Sequence, residues 1–301
     1  ISKLIKSPLV GITKTNIMNI FYRAYQLSSY IKKENIRIIH VSWTKDLLLS
    51  ALVKLFSGNK ISIIYHRQMK ITRYKKDIYH NFIYKSINIV LVITKALSED
   101  CKKFLPIDND RIIKLSYGIA LPDNKNTFDK KLLFDEIELQ ENIFTIGVFS
   151  RIEEQKGQHL IIEALNILHE KNIQLLIVGH CMDISYQNDL RKMIEKYNMH
   201  DRVAFKPFIE SPMKIMPMLD LIILPTYEET FGLVVAESML MGTPVIGSNA
   251  GGVPEIINDN NNGLLFESRN SKSLSKKILS IYESEELRIK LSNNAKIFAS
   301  E

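Results

Sequence analysis

The stretch Leu221-Ile-Ile-Leu224-Pro225-Thr-Tyr-Glu228-Glu229-Thr-Phe-Gly232-Leu-Val-Val-Ala-Glu237 decides the fold. Its opening apolar run is too short for a helix and is stopped by Pro225, so it reads as a strand buried on both faces, as parallel sheets require. A short polar turn follows, and Gly232 and the residues after it open a helix. Strand, turn and helix start in that order make half of a β-α unit. The unpaired N–H groups at such a helix start, together with the positive end of its dipole, suit a diphosphate. Glu229 stands just before the helix and Glu237 lies on its second turn, so the two carboxylates meet different parts of one extended ligand. Carboxylates accept hydrogen bonds from paired hydroxyls, which makes a sugar and a ribose their natural partners.

The same grammar recurs upstream. Phe144 to Phe149 reads as a strand, and Ser150-Arg151-Ile-Glu-Glu-Gln-Lys156-Gly157 leads from it into a helix. Arg offers a planar fork to phosphate oxygens and Lys a mobile point charge, so Arg151 and Lys156 cover both the geometry and the charge of a leaving nucleotide diphosphate. Further strands are read at 175–178, 203–205, 244–246 and 264–266, and in the first half at 36–41, 62–65, 89–93 and 112–115. Helices lie between them: Ile17, Ile20, Phe21, Ala24 and Leu27 recur at helical spacing, and Leu47 to Phe56 is closed by Gly58. Ser211 before Pro212 places a cap ahead of a first-turn proline, and Gly242 follows a helical run. The polar stretch 122–131 has no period and reads as a linker. The expected architecture is α/β, with two Rossmann-like, doubly wound parallel-sheet lobes facing a cleft. The first lobe is read over 1–138 and the second over 139–301.

Composition supports two such domains. The 301 residues are 46% hydrophobic and 24% charged, close to the soluble average, which argues against disorder and fibrous repeats. No apolar stretch is long enough to span a bilayer, and no signal peptide is read. Cys101 and Cys181 lack metal-ligand spacing and read as ordinary buried thiols of a reduced, cytoplasmic protein. The net charge of +7 is uneven: residues 1–140 carry 24 basic and 12 acidic side chains, the rest 16 and 21. A basic first half favours anionic partners. Its run Arg67, Lys70, Arg73, Lys75 and Lys76 has the bland alternative of a solvated face, and no nucleic-acid motif accompanies it.

Arg151 with Lys156-Gly157, Glu229-Thr-Phe-Gly with Glu237, Met241-Gly-Thr-Pro-Val and Ala250-Gly251-Gly252-Val-Pro-Glu255 occur in this order. With these motifs the chain resembles glycosyltransferase family 4, the retaining transferases of GT-B fold. The resemblance covers the second lobe almost completely. It implies that Arg151 and Lys156 bind the donor diphosphate, Glu229 the donor sugar and Glu237 the nucleotide ribose. Backbone amides of Phe231, Gly232, Leu233 and Val234 complete the sugar-phosphate contacts. In the first lobe, the segments 92–100 and 112–119 are similar to the family's last part of that lobe, with Tyr117 and Ala120 in place of the usual Asn and Asp. Ser150 stands where Gly is commoner. His66 corresponds to the family histidine that faces the donor sugar. The opening strands, a Gly-rich loop and the final recrossing helix of the family lie outside this sequence, so the chain is expected to be incomplete at both ends, its first lobe included.

The resemblance implies a nucleoside-diphosphate sugar as co-substrate, a sugar moved with retention to an acceptor hydroxyl, and no cofactor. No metal is expected, since the sequence has no Asp-x-Asp pair after a strand and no His/Cys cluster. Surface polysaccharide, lipopolysaccharide or glycolipid synthesis is the expected setting. A sugar-nucleotide epimerase or phosphorylase of the same fold and a non-catalytic nucleotide-sugar or glycan-binding subunit remain open at this level. A two-carboxylate hydrolase is disfavoured, because Glu229 and Glu237 serve one side of a ligand instead of bracketing a bond. The cations from Arg67 to Lys76, followed by Ile78, Tyr79, Phe82, Ile83 and Tyr84, put charge beside apolar residues. They suggest a glycan or lipid-linked acceptor and peripheral contact with the inner face of an anionic membrane.

Overall fold

The computed structural model describes residues 17–120, 130–136 and 139–301, so most of the stretch read as a linker lies outside the described residues. The chain divides into two compact units between Ser116 and Tyr117.

The first unit alternates helices and strands: α1 (Ile17–Lys33), β1 (Ile38–Val41), α2 (Leu47–Phe56), β2 (Ser62–Arg67), α3 (Ile78–Ser86), β3 (Ile89–Val92), α4 (Lys95–Phe104) and β4 (Ile112–Lys114). The strands form one parallel sheet in the order β1-β2-β3-β4. Val53, fully buried on α2, packs with Ala24 and Ile31 of α1 and with Ile61. Asp77 caps α3 by accepting from the His80 amide, and Thr94 caps α4 by accepting from Leu97. β1 starts two residues later than its apolar run, because Asn35 turns left-handed and the Ile36 amide donates back to Ile31 O, closing α1. β2 runs two residues further than read, since His66 and Arg67 still pair with Leu91 and Val92 of β3.

The second unit holds α5 (Lys130–Glu136), β5 (Phe144–Phe149), α6 (Gln158–Ile167), β6 (Ile173–Val178), α7 (Ile184–Lys196), β7 (Val203–Lys206), β8 (Leu221–Leu224), α8 (Leu233–Met241), β9 (Val245–Ser248), β10 (Leu264–Phe266), α9 (Ser271–Glu283) and α10 (Glu285–Ser300). Its six parallel strands lie in the order β7-β6-β5-β8-β9-β10, winding outward both ways from the β5/β8 pair. Every residue of β6 and of β8 is buried, as expected for strands covered by helices on both faces. Ser211 and Pro212 start two single-turn 3-10 helices instead of a longer helix. Gly242, left-handed at φ 80°, ends α8 as its position suggests.

Composition places the boundary between 138 and 139, and the structure places the division earlier. Phe134 is buried, Lys206 Nζ donates to Glu136 O at 2.8 Å, and Gln140 and Gln174 exchange hydrogen bonds, so this segment packs on β6 and β7 of the second unit. A polar, aperiodic stretch therefore does not fix which core claims the residues around it. The cysteines also differ from the reading. Cys101 is buried, which pushes its thiol up to about 12, but Cys181 is exposed. Among the described residues no helix is long and apolar enough to cross a membrane.

Candidate functional site

In a doubly wound sheet, ligands collect at the carboxyl ends of the two strands where the winding reverses. Here those strands are β5 and β8. The turn after β5 carries Arg151 and Lys156, and the turn after β8 carries Glu229 and leads through α8 to Glu237. The topology thus brings these four residues to one end of one sheet.

Lys156 ends a single-turn 3-10 helix, Glu154–Lys156, and Gly157 follows in the left-handed region at φ 69° to start α6. A Cβ at Gly157 would strike the Pro225 carbonyl, so only glycine lets the two turns approach. Gln155 O then accepts from Tyr227 N at 2.9 Å and from Thr226 Oγ1 at 3.3 Å, lacing the β5 turn to the β8 turn. Lys156 Nζ donates to Glu229 Oε2 at 3.0 Å, with side chains only 16% and 24% exposed. The Glu229 backbone is fixed as well: its carbonyl accepts from Gly252 N at 2.7 Å. Gly251, at φ 59°, has no room for a side chain against that same carbonyl. The Gly251-Gly252 pair is therefore the brace that aims Glu229.

Arg151 is exposed and pairs with Glu153 Oε1 at 2.9 Å. Its backbone is held from behind by Gln158, a fully buried side chain whose Nε2 donates to Ser150 Oγ at 2.9 Å and to Arg151 O at 2.8 Å. Ser150 thereby has a specific partner where the family commonly has glycine. Glu237 is half-buried on α8, and burial pushes its carboxyl above the usual carboxylate range. Gly232 caps α8 at φ 94°, leaving the first-turn N–H groups of Leu233 and Val234 without intrahelical acceptors. Phe231 is buried and meets the Tyr117 ring edge-on, with centroids 5.2 Å apart.

Sequence reasoning missed a second network beside this site. His159 sits between two phenols, with Nδ1 at 2.8 Å from Tyr186 OH and Nε2 at 2.6 Å from Tyr227 OH. Burial pushes its pKa down, opposed in part by Glu163 and Glu154. The Arg269 guanidinium covers the Tyr227 ring at 4.3 Å. No sequence signal marks His159, Gln158 or Glu153 as partners: Glu153 and Gln158 act within the turn after β5, and the pairing of β5 with β8 brings His159 to Tyr227.

His66 belongs to the first unit, on β2, half-buried and stacked on His40 with ring centroids 5.7 Å apart. Burial, then the neighbouring His40, lowers its pKa. The segment after Arg67 divides differently from the reading. Ile83 and Tyr84 are core residues of the first unit, whereas Ile78, Tyr79 and Phe82 are exposed on α3. Tyr84 meets Tyr65 of β2 edge-on, with ring centroids 6.5 Å apart, whereas Ile78 and Tyr79 lie in the exposed first turn of α3.

The family described as glycosyl transferases group 1 matches residues 129–298. The chain belongs to this family. An uncharacterized glycosyltransferase of Methanocaldococcus jannaschii is 28% identical over 65% of this chain and 56% of its own length. The O-antigen biosynthesis glycosyltransferase WclY of Escherichia coli is 29% identical over 53% of this chain and 43% of its own length. The structure of Anabaena Alr3699/HepE in complex with UDP-glucose superimposes with TM-score 0.78 at 21% identity, covering 92% of this chain and 77% of that one. That likeness is one of fold, and together with the two parallel-sheet lobes it places the chain in the GT-B class. The chain spans about half the length of the curated relatives it matches.

Proposed function

We propose that the protein transfers a sugar from a nucleoside diphosphate to an acceptor hydroxyl, with retention at the anomeric carbon and without a metal. The observation that carries this reading is the sheltered Lys156–Glu229 pair at the carboxyl ends of β5 and β8, beside the start of α8. A donor diphosphate takes Lys156 and Arg151 away from their resting carboxylates. Glu229, released, accepts from the sugar hydroxyls, and Glu237 accepts from the ribose. First-turn amides from Phe231 to Val234 complete the phosphate contacts.

In this reading the diphosphate charge is met by Arg151 and Lys156, the two cations of the turn after β5. The acceptor oxygen attacks the anomeric carbon on the face from which the diphosphate departs. One carbon–oxygen bond forms as the other breaks, and the acceptor proton passes to the leaving phosphate oxygen. For His66 the family resemblance implies a role toward the donor sugar, and burial with the neighbouring His40 lowers its pKa, which favours the neutral imidazole.

Surface polysaccharide, lipopolysaccharide or glycolipid synthesis at the cytoplasmic membrane face is the proposed setting, in keeping with the similarity to an O-antigen enzyme. An anionic bilayer would meet the exposed Ile78, Tyr79 and Phe82 of α3 with Lys76 and Lys85 beside them. The test is to incubate full-length protein with a panel of nucleoside-diphosphate sugars and short glycosyl or lipid-linked acceptors, with and without chelator, and to assign the product anomer by NMR. Retained configuration with undiminished rate in chelator is expected. An inverted product, or complete inhibition restored by Mg²⁺, would overturn the mechanism.

A further inference from the structure

In the first unit, Arg67 closes β2, an interior strand of a parallel sheet, at the carboxyl end where such sheets collect ligands. Its guanidinium is locked by neutral acceptors only. Nη1 donates to Thr44 Oγ1 at 2.8 Å and to Tyr65 OH at 2.9 Å, and Nη2 donates to Lys70 O at 2.8 Å. A guanidinium has five N–H groups, so two remain, one on Nη2 and one on Nε. Nε is buried and has no acceptor among the described residues. Nε and Nη2 together form the side-on fork that matches two oxygens of a phosphate or carboxylate.

Two more cations, Arg73 and Lys75, follow within eight residues on the loop between β2 and α3. Lys75 is half-buried, and its ammonium pKa is lowered first by burial and then by the charges of Arg67 and Arg73. Among the described residues Arg67, Arg73 and Lys75 form no salt bridge to a carboxylate. Clustered like charges in a sheltered place are costly unless an anion arrives to balance them. Arg73 is exposed, and what separates this arrangement from a solvated basic face is the buried Arg67 Nε without an acceptor.

We propose that Arg67, Arg73 and Lys75 form an oxyanion-binding site at the carboxyl end of β2, and that it holds a phosphate or carboxylate group of the acceptor. The acceptor assignment rests on the transferase reading; the anion site itself does not.

The test uses full-length protein carrying Arg151→Ala and Lys156→Ala, which removes the competing diphosphate site, with ¹⁵N-labelled arginine so that NMR reads each Nε–H. Inorganic phosphate is titrated in, and the Arg67 signal is assigned by its loss in Arg67→Lys. Saturable movement of that signal is expected, weakened at least tenfold by Arg73→Ala with Lys75→Ala, while both proteins keep the parent's thermal unfolding. An unmoved Arg67 signal, or equal affinity in the Arg73/Lys75 variant, overturns the site. A second arm replaces phosphate with vesicles of anionic or zwitterionic lipid. Movement of the Arg67 signal by anionic vesicles but not by free phosphate also overturns it, in favour of a lipid surface. Phosphate binding at Arg67, together with no sugar-nucleotide turnover by the parent with Arg151 and Lys156 intact, would sink the transferase reading and leave the anion site standing.

Discussion

The two units treat their cations in opposite ways. At the strand ends of the second unit each cation already holds a carboxylate, Arg151 with Glu153 and Lys156 with Glu229. At the end of β2 in the first unit, Arg67 is braced by hydroxyls and a carbonyl, and Lys75 sits among other cations. A balanced site keeps its geometry while empty and exchanges partners when a ligand comes. An unbalanced one stores repulsion that a ligand relieves. The comparison separates a site built around a diphosphate and hydroxyls together from one built for an anion alone.

The largest effect that sharpens this contrast is expected at Lys156. Lys156→Ala removes a cation and leaves Glu229 sheltered and unpaired, so turnover should fall by about 2 to 4 kcal/mol in transition-state terms. Arg151→Ala should fall toward the lower end of that range, because Arg151 is exposed. Steady-state kinetics of both variants within twofold of the parent would break the assignment.

Next comes Glu237, where ligand binding and stability should move in opposite directions. Glu237→Gln should weaken free nucleoside diphosphate binding by about tenfold, the scale of one charge-assisted hydrogen bond, while Glu229→Gln should mainly harm sugar-dependent turnover. Burial raises the folded-state pKa of Glu237. The folded protein therefore binds the proton more tightly than the unfolded chain, and this contribution to stability is present at low pH and lost as pH rises through the raised value. Glu237→Gln should accordingly unfold at or above the parent temperature at neutral pH, and the advantage should shrink on acidification. Nucleotide affinity of the parent should fall on the same acidification. A variant that is less stable at neutral pH would contradict this balance.

His159 gives the reverse sign. Its pKa is lowered in the fold, so the unfolded chain binds the proton better, and stability should decline as pH falls through the ordinary histidine range toward the lowered value. His159→Gln should remove that part of the acid sensitivity, read as a flatter dependence of melting temperature on pH. An unchanged slope would exclude His159 as its source.

The smallest expected effect concerns α3. Each basic residue near an anionic surface contributes about 1 kcal/mol, so Lys76→Ala with Lys85→Ala should weaken co-sedimentation with anionic vesicles modestly and reduce its salt dependence. Ile78→Asp should weaken it regardless of salt. Binding of the parent that is indifferent to lipid charge would remove the membrane from the account.

Legibility in the sequence followed locality. The strand from Phe144 to Phe149 and the helix from Leu47 to Phe56 were readable to the residue, because apolar runs with a punctuating Gly or Pro are local signals. Arg151, Lys156, Glu229 and Glu237 were identifiable because each stands in a turn or helix start beside a strand. Their pairing was not, since the contact of Lys156 with Glu229 spans 73 positions and depends on β5 lying next to β8. The unit division at Ser116 was hidden for the same reason: Gln140 finds Gln174 only in the folded core. The burial of Tyr84 depends on the Tyr65 ring of β2, 19 positions earlier, which no local pattern in α3 announces.

The central claim is most directly tested by calorimetric titration of nucleoside diphosphates into the parent, Lys156→Ala and Arg67→Gln. The nucleotide that the parent binds tightest serves for all three. The account predicts that Lys156→Ala weakens it at least tenfold while Arg67→Gln binds within twofold of the parent. Parent-like affinity in Lys156→Ala, or an equal loss in Arg67→Gln, would contradict it.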